Sequence, residues 1–120
     1  MKRILFVEDN ALMRDMYKAL LSSESSRWEV ATAESGHEAL QLMQQRPFDI
    51  VASDMRMDGM TGVELLNTVL KLYPQTSRVI ISGVADQAEA AEALESTHQF
   101  LVKPVELNTL RAVLDRKSVV

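Results

Sequence analysis

Phe48-Asp49-Ile50-Val51-Ala52-Ser53 is a largely apolar run that closes on Asp54, and three other runs close on polar groups in the same manner. Glu8-Asp9 follows Ile4-Leu5-Phe6-Val7, Ser82 follows Val79-Ile80-Ile81, and Lys103-Pro104 follows Phe100-Leu101-Val102. Short apolar runs separated by helix-length polar stretches are the pattern of strands buried in a parallel sheet. In an open sheet of that kind, groups at the carboxyl ends of the strands converge in one crevice. Three acids, a hydroxyl and a lysine are therefore expected to meet at one place, the equipment of a phosphoryl-accepting aspartate with its metal.

Working outward from these runs, strands are expected at about 3–7, 28–33, 49–53, 78–82 and 99–102, alternating with five amphipathic stretches. Leu12, Met16, Ala19 and Leu20 keep helical spacing, as do Val63, Leu66, Leu70 and Tyr73, and then Leu107, Leu110 and Leu114. Asn10, Ser35 and Asp86 are candidate helix caps, Pro74 closes the third helix, and Pro47 separates the second helix from the third strand. The segment 28–33 alternates, with Trp28, Val30 and Thr32 on one side and Glu29, Ala31 and Ala33 on the other, which suits an edge strand. Strands and helices in strict alternation with short connections give an α/β fold, a right-handed doubly wound sandwich on a five-stranded parallel sheet.

The chain has 120 residues, a length that predicts one domain spanning 1–120 with a sufficient core. Its 47% apolar and 25% charged content is ordinary for a globular domain. A net charge of −4 argues against a broad electrostatic grip on nucleic acid, and no direct nucleic-acid partner is expected. The absence of cysteine excludes a disulfide framework and thiol chemistry. Acids arrive at Glu8-Asp9, too early for a signal peptide, and no stretch reaches membrane-spanning length, so a cytoplasmic protein without a membrane partner is expected. Val120 is either a true terminus or the cut edge of a longer protein.

Each site position has an ordinary explanation beside its chemical one. Glu8 and Asp9 precede a helix whose N-terminus favours acids, which makes them a capping pair on their own. Asp54 alone would be a turn or cap residue, Ser82 before Gly83 a turn serine, and Lys103 a solvated lysine. Together they read differently. Three crowded carboxylates must bind a cation or hold a proton, and oxygen ligands with no His or Cys nearby suit Mg2+. Asp54 then becomes a plausible nucleophile, because carboxylates can form acyl phosphates. Ser82 could donate to a phosphoryl oxygen, and Lys103 could pair with the acids and later with the phosphoryl group. A cis bond before Pro104, which only proline accommodates readily, would aim that lysine back into the crevice. Asp58 is read as solvated loop.

Assembled, Val7-Glu8-Asp9-Asn10, Asp54 with Gly59 and Gly62 after it, Ile81-Ser82-Gly83 and Phe100-Leu101-Val102-Lys103-Pro104 resemble the receiver domains of bacterial two-component response regulators. The resemblance runs from Ile4 to about Arg116 and implies the flavodoxin-like sandwich with sheet order 2-1-3-4-5. It implies that Asp54 takes a phosphoryl group from a sensor histidine kinase, a phosphotransfer protein or a small phosphodonor. Mg2+ (or Mn2+) would be held by Glu8, Asp9, Asp54 and the backbone carbonyl of Arg56, directly or through water. Ser82 and Lys103 would bind the phosphoryl oxygens, and Phe100 matches the family's switch aromatic. Phosphorylation would then bias the fourth helix, fifth strand and fifth helix towards an output domain or partner, with a homodimer as one outcome.

Three departures from the family pattern leave the reacting groups in place: Asp58 where proline is common, Phe100 for tyrosine, and Ser96-Thr97 for Gly-Ala. Arg56 and Val84 match positions that tune phosphate lifetime, and Val84, unable to orient a water, predicts a long-lived acyl phosphate. The stretch from His98 to Pro104 also resembles receivers attached to phosphohydrolase-type signalling domains. A degenerate receiver acting as a constitutive scaffold would lack one of these groups, and none is missing. A flavodoxin-like cofactor binder would need a phosphate-cradling loop where Glu8-Asp9 stands. A phosphohydrolase with an aspartyl intermediate would need a cap for which no length is spare, so the protein is expected not to be an enzyme.

Overall fold

The structure, a computed structural model, describes residues 1–83 and 99–115. Five strands, β1 (Lys2–Val7), β2 (Trp28–Ala33), β3 (Ile50–Asp54), β4 (Ser77–Ser82) and β5 (Gln99–Val102), form one sheet in the order β2-β1-β3-β4-β5. Every pairing is parallel. The helices α1 (Ala11–Leu20), α2 (Gly36–Gln45) and α3 (Gly62–Leu72), with a C-terminal helix (Leu107–Asp115), cover its two faces. The expected fourth helix with its cap Asp86, and Val84, Ser96-Thr97 and His98, lie outside the described residues.

The period-two geometry of a strand sends alternate residues to opposite faces, and the core is accordingly divided in two. Ile4 and Phe6 of β1 pack on one side with Tyr17, Leu101, Leu110 and Leu114. Leu5 and Val7 pack on the other with Ala39, Met43, Leu65, Leu66 and Val69. α1 and the C-terminal helix therefore share one face, and α2 and α3 the other. Burial on both faces is why β3 and β4 are covered along their whole length and read as unbroken runs. β2 pairs only with β1, as its alternation predicts, and places Trp28 and Val30 in the first core and Ala31 and Ala33 in the second.

Caps fix where the helices begin. The Asn10 side chain accepts from the Met13 N–H at 3.1 Å and Ser35 Oγ from the Glu38 N–H at 3.1 Å. α3 starts with a capping box formed by Thr61-Gly62-Val63-Glu64, a helix start that was not among the expected caps. Glu64 N–H donates to Thr61 Oγ1, and Thr61 N–H to Glu64 Oε1, both at 3.1 Å.

Two apolar stripes sit differently from expectation. In α1 the packed residues are Met13, Met16, Tyr17 and Leu20, while Leu12 is 81% exposed and Ala19 is exposed too. In α3 Leu65, Leu66 and Val69 are buried and Leu70 lies at the exposed edge. Both helices carry apolar residues around a wide arc, so spacing alone admits more than one stripe. Packing selects the one that brings Tyr17 onto Phe6, their rings stacked with centroids 4.6 Å apart.

Candidate functional site

The order β2-β1-β3 reverses the direction of winding between β1 and β3, and ligand crevices form at such switch points. Val7 is in register with Ser53, so the next residues along the two strands are Glu8 and Asp54. One oxygen each from Glu8, Asp9 and Asp54 lies within 4.8 Å of the others, a spacing able to hold a metal ion. Glu8 and Asp54 are 2% and 6% exposed, whereas Asp9 is open to solvent. An all-oxygen donor set of this size fits a hard divalent cation.

Lys103 reaches this cluster from the end of β5. Its Nζ lies 2.8 Å from Asp54 Oδ1, and its N–H donates to the Ser82 carbonyl at 2.8 Å, tying the ends of β4 and β5 together. The Lys103–Pro104 peptide bond is cis. Ser82 Oγ is buried and has no hydrogen-bond partner among the described residues. A buried hydroxyl left without a partner costs stability, which suits a group kept for an incoming acceptor.

Burial, first, and then the neighbouring Asp54 carboxylate push the Glu8 carboxyl up to about 7. A hydrogen bond to Asp54 and the charge of Asp9 act in the same direction, and Lys103 opposes them. Near neutrality the cluster is thus poised between holding a proton and holding a cation.

Asp54 is followed by a loop that folds back under the site. Met55 N–H donates to the Ile81 carbonyl at 2.9 Å and Gly62 N–H to the Met55 carbonyl at 3.1 Å. Gly59 has φ +78, the left-handed region that favours glycine. Gly62 is required for a different reason: a Cβ there would stand 2.1 Å from the Asp54 carbonyl oxygen. Arg56 is exposed in this loop, and Asp58, also exposed, donates its N–H to Asp9 Oδ2 at 3.4 Å. Phe100 stands 40% exposed on the edge strand, in register with Ile80.

The structure therefore brings Glu8, Asp9, Asp54 and Lys103 together with Ser82 at the neighbouring strand end, and places Arg56 on the adjoining loop. Sequence reasoning missed Arg14. Its guanidinium donates to the Glu8 carbonyl at 2.8 Å, a contact between residues whose relation in the sequence carries no motif.

A doubly wound parallel sheet with an acid cluster and a lysine at its switch point has the form of a signalling receiver. The family model for the response regulator receiver domain matches residues 4–115, and the chain belongs to that family of two-component signalling domains. Chemotaxis protein CheY of Thermotoga maritima is 31% identical over 119 residues, 98% of this chain and 98% of that protein. Transcriptional regulatory protein ZraR of Escherichia coli K12 is 32% identical over 114 residues, 94% of this chain but only 25% of that regulator. The crystal structure of the receiver domain of NtrX from Brucella abortus superposes with a TM-score of 0.87 at 30% identity, covering 94% of this chain and 95% of that one. Among the described residues no helix is long and apolar enough to cross a membrane.

Proposed function

We propose that this chain is a phosphorylation-activated switch with Asp54 as its phosphoacceptor. The observation that carries the proposal is the buried Asp54 carboxylate, 2.8 Å from Lys103 Nζ and clustered with Glu8 and Asp9. The donor is the phosphohistidine of a sensor histidine kinase or phosphotransfer protein, or a small phosphodonor. An Asp54 carboxylate oxygen attacks phosphorus, the O–P bond forms, and the P–N bond breaks with its electron pair leaving on the imidazole nitrogen.

Glu8, Asp9, Asp54 and the Arg56 carbonyl are the groups proposed to hold Mg2+, for which Mn2+ can substitute. The cation, when bound, offsets charge between the carboxylate and the phosphoryl oxygens. Lys103, already on Asp54, pairs with a phosphoryl oxygen after transfer, and the Ser82 hydroxyl gains the acceptor it lacks. Phe100 at the exposed edge strand then repacks, and the change passes through β5 and its flanking helices to an output domain or partner protein. The chain spans about a quarter of the length of relatives such as ZraR, and an output domain beyond residue 120 or a separate target would each use this surface, with a homodimer as one outcome. The domain works in the cytoplasm, without direct contact to nucleic acid or membrane, and catalyses nothing beyond its own phosphorylation and slow dephosphorylation.

Intact mass after incubation with acetyl phosphate and Mg2+ tests this. One phosphoryl adduct is expected on the wild type, absent from Asp54→Asn and absent with EDTA. A wild type that takes no adduct from acetyl phosphate or from any histidine kinase, and no beryllofluoride, would overturn the proposal in favour of a constitutive binding scaffold.

A further inference from the structure

Arg14 sits on α1, yet its side chain is only 19% exposed because it folds back over the turn that carries the acid pair. Beyond the end of β1 the Glu8 carbonyl leaves the sheet ladder, and the Arg14 guanidinium supplies its donor at 2.8 Å. The Glu8 N–H is held from the other side by the Ala33 carbonyl at 3.0 Å, and the Asp9 N–H is taken by Glu8 Oε2 at 3.1 Å. The Arg14 backbone N–H makes the opening hydrogen bond of α1, to the Asn10 carbonyl at 3.1 Å, and the second terminal nitrogen of its side chain lies 3.9 Å from Oε2 of the exposed Glu34. The peptide joining Glu8 to Asp9 is thereby fixed in orientation through its own carbonyl and N–H, and the peptide before it through the Ala33 contact.

We propose that Arg14 is a positioning residue for the acid cluster, holding the Glu8–Asp9 peptide so that both carboxylates face Asp54. This rests on the metal site of the proposed function. Charge and geometry make opposite predictions, which makes the proposal decidable. A guanidinium beside a cation site repels the cation, so if charge alone mattered its removal would tighten metal binding. If Arg14 acts by orienting ligands, its removal loosens metal binding, as loss of a group that orients metal ligands typically does.

The test is a Mn2+ titration of the full chain, followed by loss of the free-ion electron paramagnetic resonance signal, for wild type, Arg14→Gln and Arg14→Lys. Thermal unfolding without metal is recorded alongside. Arg14→Gln is expected to weaken Mn2+ binding by about 10–100-fold. Arg14→Lys, which keeps a charged donor without the planar fork, is expected to fall between it and the wild type. A merely structural residue would lower the unfolding midpoint and leave Mn2+ affinity of the folded chain unchanged. Affinity equal to or tighter than wild type in Arg14→Gln would overturn the proposal. Should that variant not fold, the same result in Arg14→Lys would overturn it. A wild type that binds no Mn2+ would remove the metal site itself, and this proposal with it.

Discussion

Glu8→Gln is expected to stabilise the fold at pH 8 relative to its effect at pH 4.5, and the size follows from the site. The Glu8 carboxyl is buried against Asp54 and raised from 4.5 to about 7. Between those two values the folded chain keeps a proton that the unfolded chain has lost, so stability falls as pH rises and levels off above about 7. A change from 4.5 to about 7 corresponds to about 3 kcal/mol. Glutamine has the shape of the protonated acid and can still donate to Asp54, so the variant escapes this loss. Urea unfolding from pH 4.5 to 8.5 in EDTA measures the difference directly. Groups remote from Glu8 titrate equally in both chains and cancel, and the excess at pH 8 should move the midpoint by roughly 1–3 M. Mg2+ should narrow the gap by stabilising the wild type, by about 2.7 kcal/mol at a hundred times its dissociation constant. Midpoints that keep a constant separation across the pH range would refute the assignment of the raised carboxyl to Glu8.

Gly62→Ala should destabilise the fold by about 1–3 kcal/mol, because the new Cβ meets the Asp54 carbonyl oxygen, a backbone atom that cannot step aside; an unchanged melting curve would contradict this. Lys103→Met removes the cation that holds the Glu8 carboxyl down, so Mg2+ binding, measured calorimetrically, should need a higher pH for its half-maximal onset, and phosphorylation by acetyl phosphate should slow. A midpoint that moves down instead would show that Lys103 does not act on the cluster. Val84→Asn should shorten the lifetime of the acyl phosphate, read as the decay of the adduct by mass, since an amide can orient the attacking water where valine cannot; an unchanged decay rate would show that Val84 has no part in setting that lifetime.

Strand positions and sheet class were legible in the sequence because burial on two faces demands continuous apolar runs, and β1, β3 and β4 supply them. The site was legible for a related reason. Parallel strands all end on the same side, so residues far apart in sequence but each terminating a run must meet, as Glu8, Asp54 and Lys103 do. Where several residues satisfied the same local rule, the pattern ran out. Leu12 and Leu70 obeyed helical spacing as well as Tyr17 and Val69 did, yet only the latter pair is buried. Which stripe turned inward depended on the sheet beneath.

By itself, then, the sequence determined the α/β class, the five strands, the caps at Asn10 and Ser35 and the set of groups that gather at the strand ends. Those are consequences of periodicity and chain direction, which are local. Tertiary structure alone decided that Arg14 clamps the Glu8 carbonyl, that Gly62 has no room for a side chain beneath Asp54, and that burial beside Asp54 raises the Glu8 carboxyl to about 7. Each of these depends on distances of a few ångströms between segments that only packing brings together, and no spacing along the chain encodes them.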